Sequence, residues 1–291
     1  MLPHAKIAGI IKRNECFLRQ DALIVFVCGR AMDAKSSRRK IFLEYAYKHI
    51  QGFHFLLAED LFSLSDKRDQ DLLTIEKELT KYSDCIVIIL ESPSAFTELG
   101  AFAVHDELCS IILPINDRAF SKYSSFINHG PLEKIDSLKR GLGPTIQADM
   151  DSFAHCFSEV QGRLERIKKK RRERLGVEFF SDFVDRHKER LLLVFELINL
   201  FAPLSRKELI GLFKKVYGDK RFTDVHFDIQ LLTALKFVAD FDGYLYSKAP
   251  SLRFVDFGKS YIKLKSDVIL YYKKNSPERL KLLKKVAEHG S

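Results

Sequence analysis

The stretch that most constrains the fold runs from Asp84 to Val104, with the sequence DCIVIILESPSAFTELGAFAV. It contains a run of branched apolar residues, Ile86 to Leu90, that suits one strand buried on both faces of a parallel sheet. The turn that follows, Glu91 to Ser94, offers two serines that can cap a helix and a proline suited to the first helical position. The stretch therefore predicts a strand, a short turn and a helix.

Glu98 lies in this predicted helix, close to the junction between the strand and the helix. Open α/β sheets bind ligands in the crevice outside the carboxyl ends of their strands, so Glu98 is the candidate catalytic residue. We expect the partial positive charge of the helix start to keep its carboxylate ionised, as a nucleophile requires. An ordinary capping glutamate is the alternative, and these residues alone do not distinguish the two.

The same pattern extends along the first half of the chain. Further strands are predicted at 22–28, 53–58, 110–115 and 143–147, with helices at about 36–50 and 69–82 and a long loop at 116–142. Because strands and helices alternate, the sequence predicts an α/β fold with a doubly wound, parallel, Rossmann-like sheet.

Polar residues follow two of these strands on the side of the crevice. Gly29 would let the backbone approach a ligand, and Arg30 beside it can hold a phosphate or a carboxylate. Glu59 and Asp60 could bind ribose hydroxyls. The evidence for each is weak on its own, since a single glycine has no motif around it and an acidic pair is equally typical of a solvated turn.

The second part of the chain differs from the first in its charge. The 291 residues are enough for two domains. Residues 1–162 contain 19 Lys and Arg against 22 Asp and Glu, whereas residues 163–291 contain 29 against 17. This asymmetry indicates a basic part that faces nucleic acid or another polyanion, with a basic but merely soluble surface as the alternative.

Three helices and a hairpin are predicted in this basic part, at about 178–201, 205–217, 224–236 and 239–247. Ser205 and Glu208 fit a capping box, and Asp242-Gly243 suits a hairpin turn. This order is typical of a smaller, mostly helical winged helix-turn-helix domain, although many such domains bind protein instead of DNA. The candidate nucleic-acid-binding residues are Lys168, Lys169, Lys170, Arg171, Arg172, Arg206, Lys207, Lys214, Lys215, Lys220 and Arg221.

Cysteine usage and hydropathy indicate the compartment. The five cysteines are scattered and include no C-x-x-C pair, so we expect a reducing cytoplasm, no disulfides and no metal site. No apolar run approaches the ~20 residues of a membrane span, so we expect no membrane partner. The N-terminal residues lack the apolar segment and cleavage site of a secretory signal.

Four segments together resemble retron effector proteins that carry a nucleoside 2-deoxyribosyltransferase-like domain. The similarity covers about residues 20–150 well and the remainder in outline, including a basic C-terminal DNA-binding domain. The matching segments are Phe26–Gly29, Glu59–Phe62, Glu91–Phe102 and Ser125–Pro131. The resemblance implies a catalytic domain at 1–150, a basic helical connector at 151–176 and a winged-helix-like domain at 177–291.

In the transferase family a glutamate at the position of Glu98 attacks the anomeric carbon of a nucleoside and forms a glycosyl-enzyme. A nearby carboxylate stabilises an oxocarbenium-like transition state, as in glycosidases. Ser92 and Ser94, like Gly29 and Arg30, could contact ribose or phosphate oxygens. Because related transferases complete each site with a neighbour's loop, the resemblance also implies a homo-oligomer or higher assembly, with Asn128 in or beside its interface.

For the retron relatives, the resemblance implies a toxin that cleaves the N-glycosidic bond of NAD+ or a related nucleotide and needs no cofactor. It implies restraint by a reverse transcriptase and its branched RNA–DNA product, msDNA, until phage infection. The segment Ser92–Phe96 replaces the glycine-rich turn usual in the transferases, which favours hydrolysis over base exchange.

Two other functions remain open. A phosphoribohydrolase of the cytokinin-activating type uses a similar Thr-x-x-Glu segment, but the glycine pair that precedes it is missing here. A nucleotide-sensing DNA-binding transcription regulator would bind a nucleotide without catalysis. Formation of product from NAD+ distinguishes an enzyme from such a sensor.

Overall fold

A computed structural model describes most of the chain, which divides into two units. The first unit comprises Leu23–Phe62 and Asp66–Lys169, and the second comprises Met1–Ala22, Ser63–Ser65 and Lys170–Ser291. The described residues are 4–13, 15–19, 23–62, 72–167, 186–218, 222, 224–258 and 260–289.

The helices and strands of the described residues follow in chain order: α1 (His4–Lys12), β1 (Phe17–Leu18), β2 (Leu23–Cys28), α2 (Arg38–His49), β3 (Phe53–Leu56), α3 (Ala58–Phe62), α4 (Leu72–Thr80), β4 (Cys85–Ile89), α5 (Pro93–Ala103), α6 (Asp106–Cys109), β5 (Ile112–Asp117), α7 (Glu133–Asp136), β6 (Ile146–Ala148), α8 (Phe157–Glu165), α9 (His187–Phe201), β7 (Leu204–Ser205), α10 (Arg206–Tyr217), α11 (Asp224–Ala234), β8 (Val238–Phe241), β9 (Tyr244–Ser247), β10 (Val255–Asp256), α12 (Ser260–Asn275) and α13 (Pro277–His289). Short 3₁₀ turns at Arg118–Phe120 and Phe153–Cys156 and a π-helical turn at Asn128–Leu132 complete the first unit.

Five parallel strands form the sheet of the first unit, in the order β3-β2-β4-β5-β6. Every residue of β2 and β4 is buried, because helices cover both faces of the sheet. The predicted parallel α/β sheet is confirmed. The chain moves from β2 to β3 in one direction and from β4 to β6 in the other, so the winding reverses between β2 and β4. The carboxyl ends of these two strands form the topological switch point.

The two faces of the sheet are covered by different helices. On one face, Phe42 of α2 packs edge-on against Phe157 of α8, with ring centroids 5.9 Å apart. On the other face, Phe26 of β2 lies 6.4 Å from Phe102 of α5. Strand β2 is therefore held from both sides, which fixes the position of the residues at its carboxyl end.

The predicted junction between β4 and α5 is confirmed. Ser92 is the N-cap of α5, and its hydroxyl accepts a hydrogen bond from the backbone N–H of Ala95 at 3.4 Å. Pro93 occupies the first helical position, where its missing N–H costs no hydrogen bond. The sequence of this turn thus fixes where α5 begins.

The second unit contains a three-stranded antiparallel sheet in the order β7-β9-β8 beside α9, α10 and α11. The predicted capping box is confirmed, since Ser205 accepts from the backbone of Glu208 and the Glu208 carboxylate accepts from the backbone of Ser205. Asp242 and Gly243, with φ of 55° and 77°, form the tight turn between β8 and β9 as predicted. The predicted start of α9 at residue 178 lies outside the described residues.

The division into units differs from the predicted boundaries at both ends of the first domain. Helix α1 buries Ile7, Ile10 and Ile11 and packs on α10, and β1 pairs with β10, so these N-terminal elements belong to the second unit. Helix α8 adds Val160 and Leu164 to the core of the first unit, which therefore continues into the predicted connector. Contacts between segments this far apart in the chain leave no mark in the local sequence pattern.

Cysteines and hydropathy give two further observations. All five cysteines are buried thiols, so they pack as small core residues. In the parts of the chain that the structure describes, no helix combines the length and the apolar character needed to cross a membrane.

We predict that Asp228→Ala destabilises the second unit by about 3 kcal/mol, because it breaks a buried two-point ion pair and leaves the buried guanidinium of Arg190 to the more exposed carboxylate of Asp224, 3.3 Å from Nη1. The side chains of Arg190 and Asp228 are both fully buried, and the guanidinium donates Nε to Oδ2 at 2.6 Å and Nη2 to Oδ1 at 3.1 Å. Urea unfolding followed by circular dichroism measures the loss. The control Asp240→Ala removes an exposed pair with Arg206 and should cost less than about 1 kcal/mol. Equal losses in the two variants would contradict the prediction.

Candidate active site

The candidate site lies at the switch point, where β2 and β4 end side by side. The loop that begins with Gly29 and Arg30 follows β2, and Glu91 follows β4. Cys28 ends β2, and Glu98 lies in the second turn of α5. The structure therefore brings the predicted catalytic residue to the edge of the sheet at which α/β folds bind ligands.

Glu91 holds this region together through its carboxylate, which is 1% exposed. It accepts hydrogen bonds from the backbone N–H groups of Arg30 at 3.2 Å, Arg38 at 2.9 Å and Arg39 at 3.0 Å. The Arg30 guanidinium donates in turn to the carbonyl oxygen of Glu91 at 2.8 Å. At Gly29 a Cβ would lie 3.1 Å from Cβ of Arg39 and 3.3 Å from the Glu91 carboxylate, which is closer than most side chains tolerate. Arg30, predicted to bind substrate, is thus engaged within the protein.

Arg39 is the buried cation of the site. It is 4% exposed and forms a two-point ion pair with Glu59, in which Nη1 lies 3.2 Å from Oε2 and Nη2 contacts Oε1. Its Nε is buried and has no hydrogen-bond partner among the described residues. Glu59, predicted to bind ribose, therefore forms an ion pair with Arg39 in this structure. Asp60 follows Glu59 in α3, and its negative charge adds to the effect of burial in raising the pKa of Tyr47.

Glu98 presents a carboxylate oxygen that remains available for chemistry. Its Oε2 is buried and accepts no hydrogen bond from the described residues. Burial raises the pKa of Glu98; a hydrogen bond from the Cys28 thiol and the charge of Arg39 oppose this rise, while the charge of Glu59 adds to it. The expected contribution of the helix start to the ionised form stays a prediction. Glu98 lies six residues after the N-cap Ser92, beyond the first turn in which the helix dipole acts.

Glu76 of α4 is a third carboxylate of this cluster, after Glu59 and Glu98, and sequence reasoning missed it. Burial raises the pKa of Glu76 to about 7, the negative charges of Glu98 and Glu59 add to the rise, and Arg39 opposes it. Such a group exchanges a proton near neutral pH. The sequence carries a signal for it: Glu76 sits at helical spacing between the apolar Leu72 and Leu79, where a charged residue is out of place.

The remaining predicted substrate-binding residues shape the loops around this cluster. The hydroxyl of the N-cap Ser92 lies 3.0 Å from that of Ser94, which is exposed. The side-chain amide of Asn128 donates to the carbonyl oxygens of Phe120 at 2.9 Å and Tyr123 at 2.7 Å, and so closes its own loop. The turn that contains Asn128 contacts α5. Its role in an interface between copies stays a prediction.

The described residues contain no group of three or more His, Cys, Asp or Glu side chains arranged to hold a metal ion.

Four of the predicted nucleic-acid-binding residues, Arg206, Lys207, Lys214 and Lys215, lie on α10. Lys207, Lys214 and Lys215 are exposed, while Arg206 pairs with Asp240 at 3.1 Å. Helix α11 contains no lysine or arginine. Lys168, Lys169, Lys170, Arg171, Arg172, Lys220 and Arg221 lie outside the described residues.

Comparison with known proteins adds an independent line of evidence. A model of the STM3845 retron effector protein family matches residues 35–240. The chain is 28% identical over 289 residues to the "Retron Ec73 putative ribosyltransferase/DNA-binding protein" of Escherichia coli, covering 90% of this chain and 88% of that protein. It is 33% identical over 112 residues to the "Retron Ec86 putative ribosyltransferase/DNA-binding protein" of Escherichia coli, covering 38% of this chain and 36% of that protein.

We predict that Glu91→Gln lowers the free energy of unfolding by about 1–3 kcal/mol, because an amide offers one acceptor oxygen where the carboxylate offers two. At least one buried N–H at the start of α2 then faces an NH₂ group. Thermal and urea unfolding measure the loss. The control Glu133→Gln changes an exposed carboxylate 3.5 Å from His129 and should cost less than about 0.5 kcal/mol. A Glu91→Gln protein as stable as the control would show that this carboxylate does not hold the site together.

Proposed function

Because this chain belongs to the STM3845 retron effector protein family, we propose that it is the toxic effector of a retron anti-phage system and cleaves the N-glycosidic bond of a nucleotide. NAD+ is the foremost candidate substrate, and Glu98 is the nucleophile. The observation that carries the proposal is the placement of the Glu98 carboxylate, with one unpartnered oxygen, beside the carboxyl ends of β2 and β4. The names of both relatives, which include ribosyltransferase, support a reaction at the anomeric carbon of a ribose.

The proposed reaction has two steps. In the first, a Glu98 oxygen attacks C1′ of the ribose, the C1′–N bond breaks, and its electron pair leaves with the base. With NAD+ the leaving group is neutral nicotinamide, so this step needs no proton. In the second, water attacks C1′, a proton leaves the water, and the bond to Glu98 breaks. This double displacement retains the configuration at C1′, as in retaining glycosidases.

Each residue of the cluster has a distinct task in this scheme. Cys28 and Arg39 favour the ionised form of Glu98 and so oppose the effect of its burial. Glu76, with a pKa of about 7, is suited to take the proton from the attacking water. Burial of Glu98 also makes it a better nucleophile, because a carboxylate withdrawn from water keeps fewer hydrogen bonds to break.

For the second unit we propose a winged helix that binds the backbone of a nucleic acid, with msDNA and the retron reverse transcriptase as the restraining partners. The succession of α9, α10 and α11 with the β7-β9-β8 sheet supports this proposal. In a winged helix α11 would enter the groove. It exposes His226 and Gln230 and lacks basic residues, so phosphate contacts from α10 would supply the affinity.

The direct test of the enzymatic proposal is to incubate the purified protein with a panel of nucleotides and nucleosides and to measure the released base. Release from NAD+ or a related nucleotide supports the proposal. Saturable binding without release would favour a nucleotide-sensing DNA-binding regulator, the second candidate function.

We predict that Glu98→Gln abolishes base release and toxicity while the fold is kept, because the amide preserves the shape of the side chain but is not a nucleophile. Base release by liquid chromatography and toxicity in cells measure the effect. The control Glu107→Gln changes an exposed carboxylate near α5 and should retain full activity. A Glu98→Gln rate within about tenfold of wild type, worth roughly 1.4 kcal/mol of barrier, would exclude Glu98 as the nucleophile.

We predict that the steady-state rate of base release from NAD+ falls as the pH drops below about 7, because hydrolysis of the glycosyl-enzyme in the second step needs a proton acceptor. Glu76 becomes protonated in that range and can no longer accept a proton, and protonation of Glu98 at lower pH adds to the loss. Glu76→Gln should release base about 10²–10³ times more slowly than wild type at pH 8. Its pH–rate profile should also lose the fall in rate near pH 7. The control Glu78→Gln alters the neighbouring exposed face of α4, where Glu78 pairs with Lys81. An unchanged pH profile in Glu76→Gln would remove Glu76 from the mechanism.

We predict that the affinity of the full-length protein for a nucleic acid falls steeply with salt. A plot of log K against log salt should have a slope of about −0.9 for each phosphate contact on a duplex. Charge reversal at Lys207, Lys214 and Lys215 should flatten this slope, weaken binding to many sequences alike and leave base release unchanged. Reversal of the exposed Lys139 and Arg140 in the first unit is the matched control. Equal effects of the two sets would show that α10 is not the binding surface.

A further inference from the structure

A cavity of about 490 Å³ opens beside the first turn of α2, in the first unit. Residues 36–41, at the start of α2, and residues 150–155, after β6, supply its walls. Both segments follow strands of the parallel sheet, so the cavity lies at the same edge of the sheet as Glu98. Its volume falls within the range of small-molecule sites, roughly 300–1,000 Å³.

The cavity shares a wall with the proposed active site. Arg38 and Arg39 are consecutive residues, and both backbone N–H groups donate to the Glu91 carboxylate. The Arg39 side chain joins the cluster of Glu59 and Glu98, whereas the Arg38 side chain lines the cavity. One ligand could therefore cross the start of α2 and reach both places.

The lining of the cavity suits a nucleotide. Arg38 donates Nε to the carbonyl oxygen of Met150 at 2.8 Å, and its Nη1 lies 3.7 Å from the Glu91 carboxylate; the side chain keeps 20% exposure, which leaves part of the guanidinium for a phosphate. Ile41, Met150 and Phe153 provide apolar surface for a base. The carboxylate of Asp151, at the exposed rim, is of the kind that accepts hydrogen bonds from a ribose diol.

We propose that this cavity binds the second nucleotide of a dinucleotide substrate, whose other nucleotide is cleaved at Glu98. The inference rests on the proposed function and deepens it. It states that the substrate is two nucleotides joined by a pyrophosphate rather than a single nucleotide. Contacts made far from the reacting carbon position that carbon for attack, so loss of the second nucleotide should weaken binding and slow cleavage.

The test compares base release from NAD+ and from nicotinamide mononucleotide by the full-length protein. Ala154→Trp places an indole in the cavity, and Ala154 is exposed and outside the cluster of Glu98. We expect kcat/KM for NAD+ to fall by about tenfold or more, mainly through KM, while kcat/KM for the mononucleotide is unchanged. Ala154→Ser, which keeps the cavity open, is the matched control. Asp151→Asn should raise KM for NAD+ several-fold without altering the mononucleotide reaction, and it serves if the tryptophan variant does not fold.

The outcomes separate this inference from the function on which it rests. If wild type cleaves both substrates equally well, or if the cavity variants slow both reactions alike or neither, the cavity does not bind the second nucleotide, and the glycosidase proposal stands. If wild type releases base from neither substrate, the proposed function fails and the cavity assignment fails with it.

Discussion

The buried carboxylate of Glu91 is the interaction on which the architecture of the site depends. It accepts three backbone N–H groups, one from the loop after β2 and two from the start of α2, and it lies directly after β4. A charged group is expensive to bury unless its hydrogen bonds are satisfied, and here they are. Because the acceptor follows β4 and the donors follow its neighbour β2, the carboxyl ends of the two strands cannot separate without losing this set of bonds. The same carboxylate positions Arg39, whose guanidinium pairs with Glu59 and whose positive charge acts on Glu98.

The order of the sheet explains why the catalytic chemistry is concentrated at one point. The winding reverses between β2 and β4, so helices leave in opposite directions and a crevice remains between them. Cys28 comes from one strand, Glu98 from the helix after the other, and Glu76 from the helix that precedes it. Burial raises the pKa of Glu76 to about 7 and raises that of Glu98 as well, and repulsion from the neighbouring carboxylates adds to both rises. In the proposed mechanism, the same buried cluster supplies both the nucleophile and the proton acceptor.

Much of this could be predicted from the sequence, because local signals and global fold agree there. The apolar run of β4, the cap at Ser92 and the proline at position 93 specify one strand–turn–helix unit, and they place Glu98 correctly. The roles of Glu91 and Arg39 could not be predicted, since they depend on contacts between residues about 50 positions apart. For the same reason, the sequence did not predict that α1 belongs to the second unit. The raised pKa of Glu98 could not be predicted, because it comes mainly from burial, which a sequence does not reveal.

The central claim is that Glu98 forms a covalent bond to the ribose, and trapping that intermediate tests it most directly. The protein would be mixed with a nicotinamide dinucleotide whose ribose carries a 2′-fluorine in the arabino configuration, which slows the release of the sugar more than its transfer to the enzyme. Digestion and mass spectrometry would then locate the adduct. We predict that the peptide containing Glu98 gains the mass of an ADP-fluoroarabinosyl group and that one equivalent of nicotinamide is released. The Glu98→Gln protein should form no adduct. An adduct on Glu76 or Glu59, or release of nicotinamide from NAD+ with inversion at C1′, would contradict it.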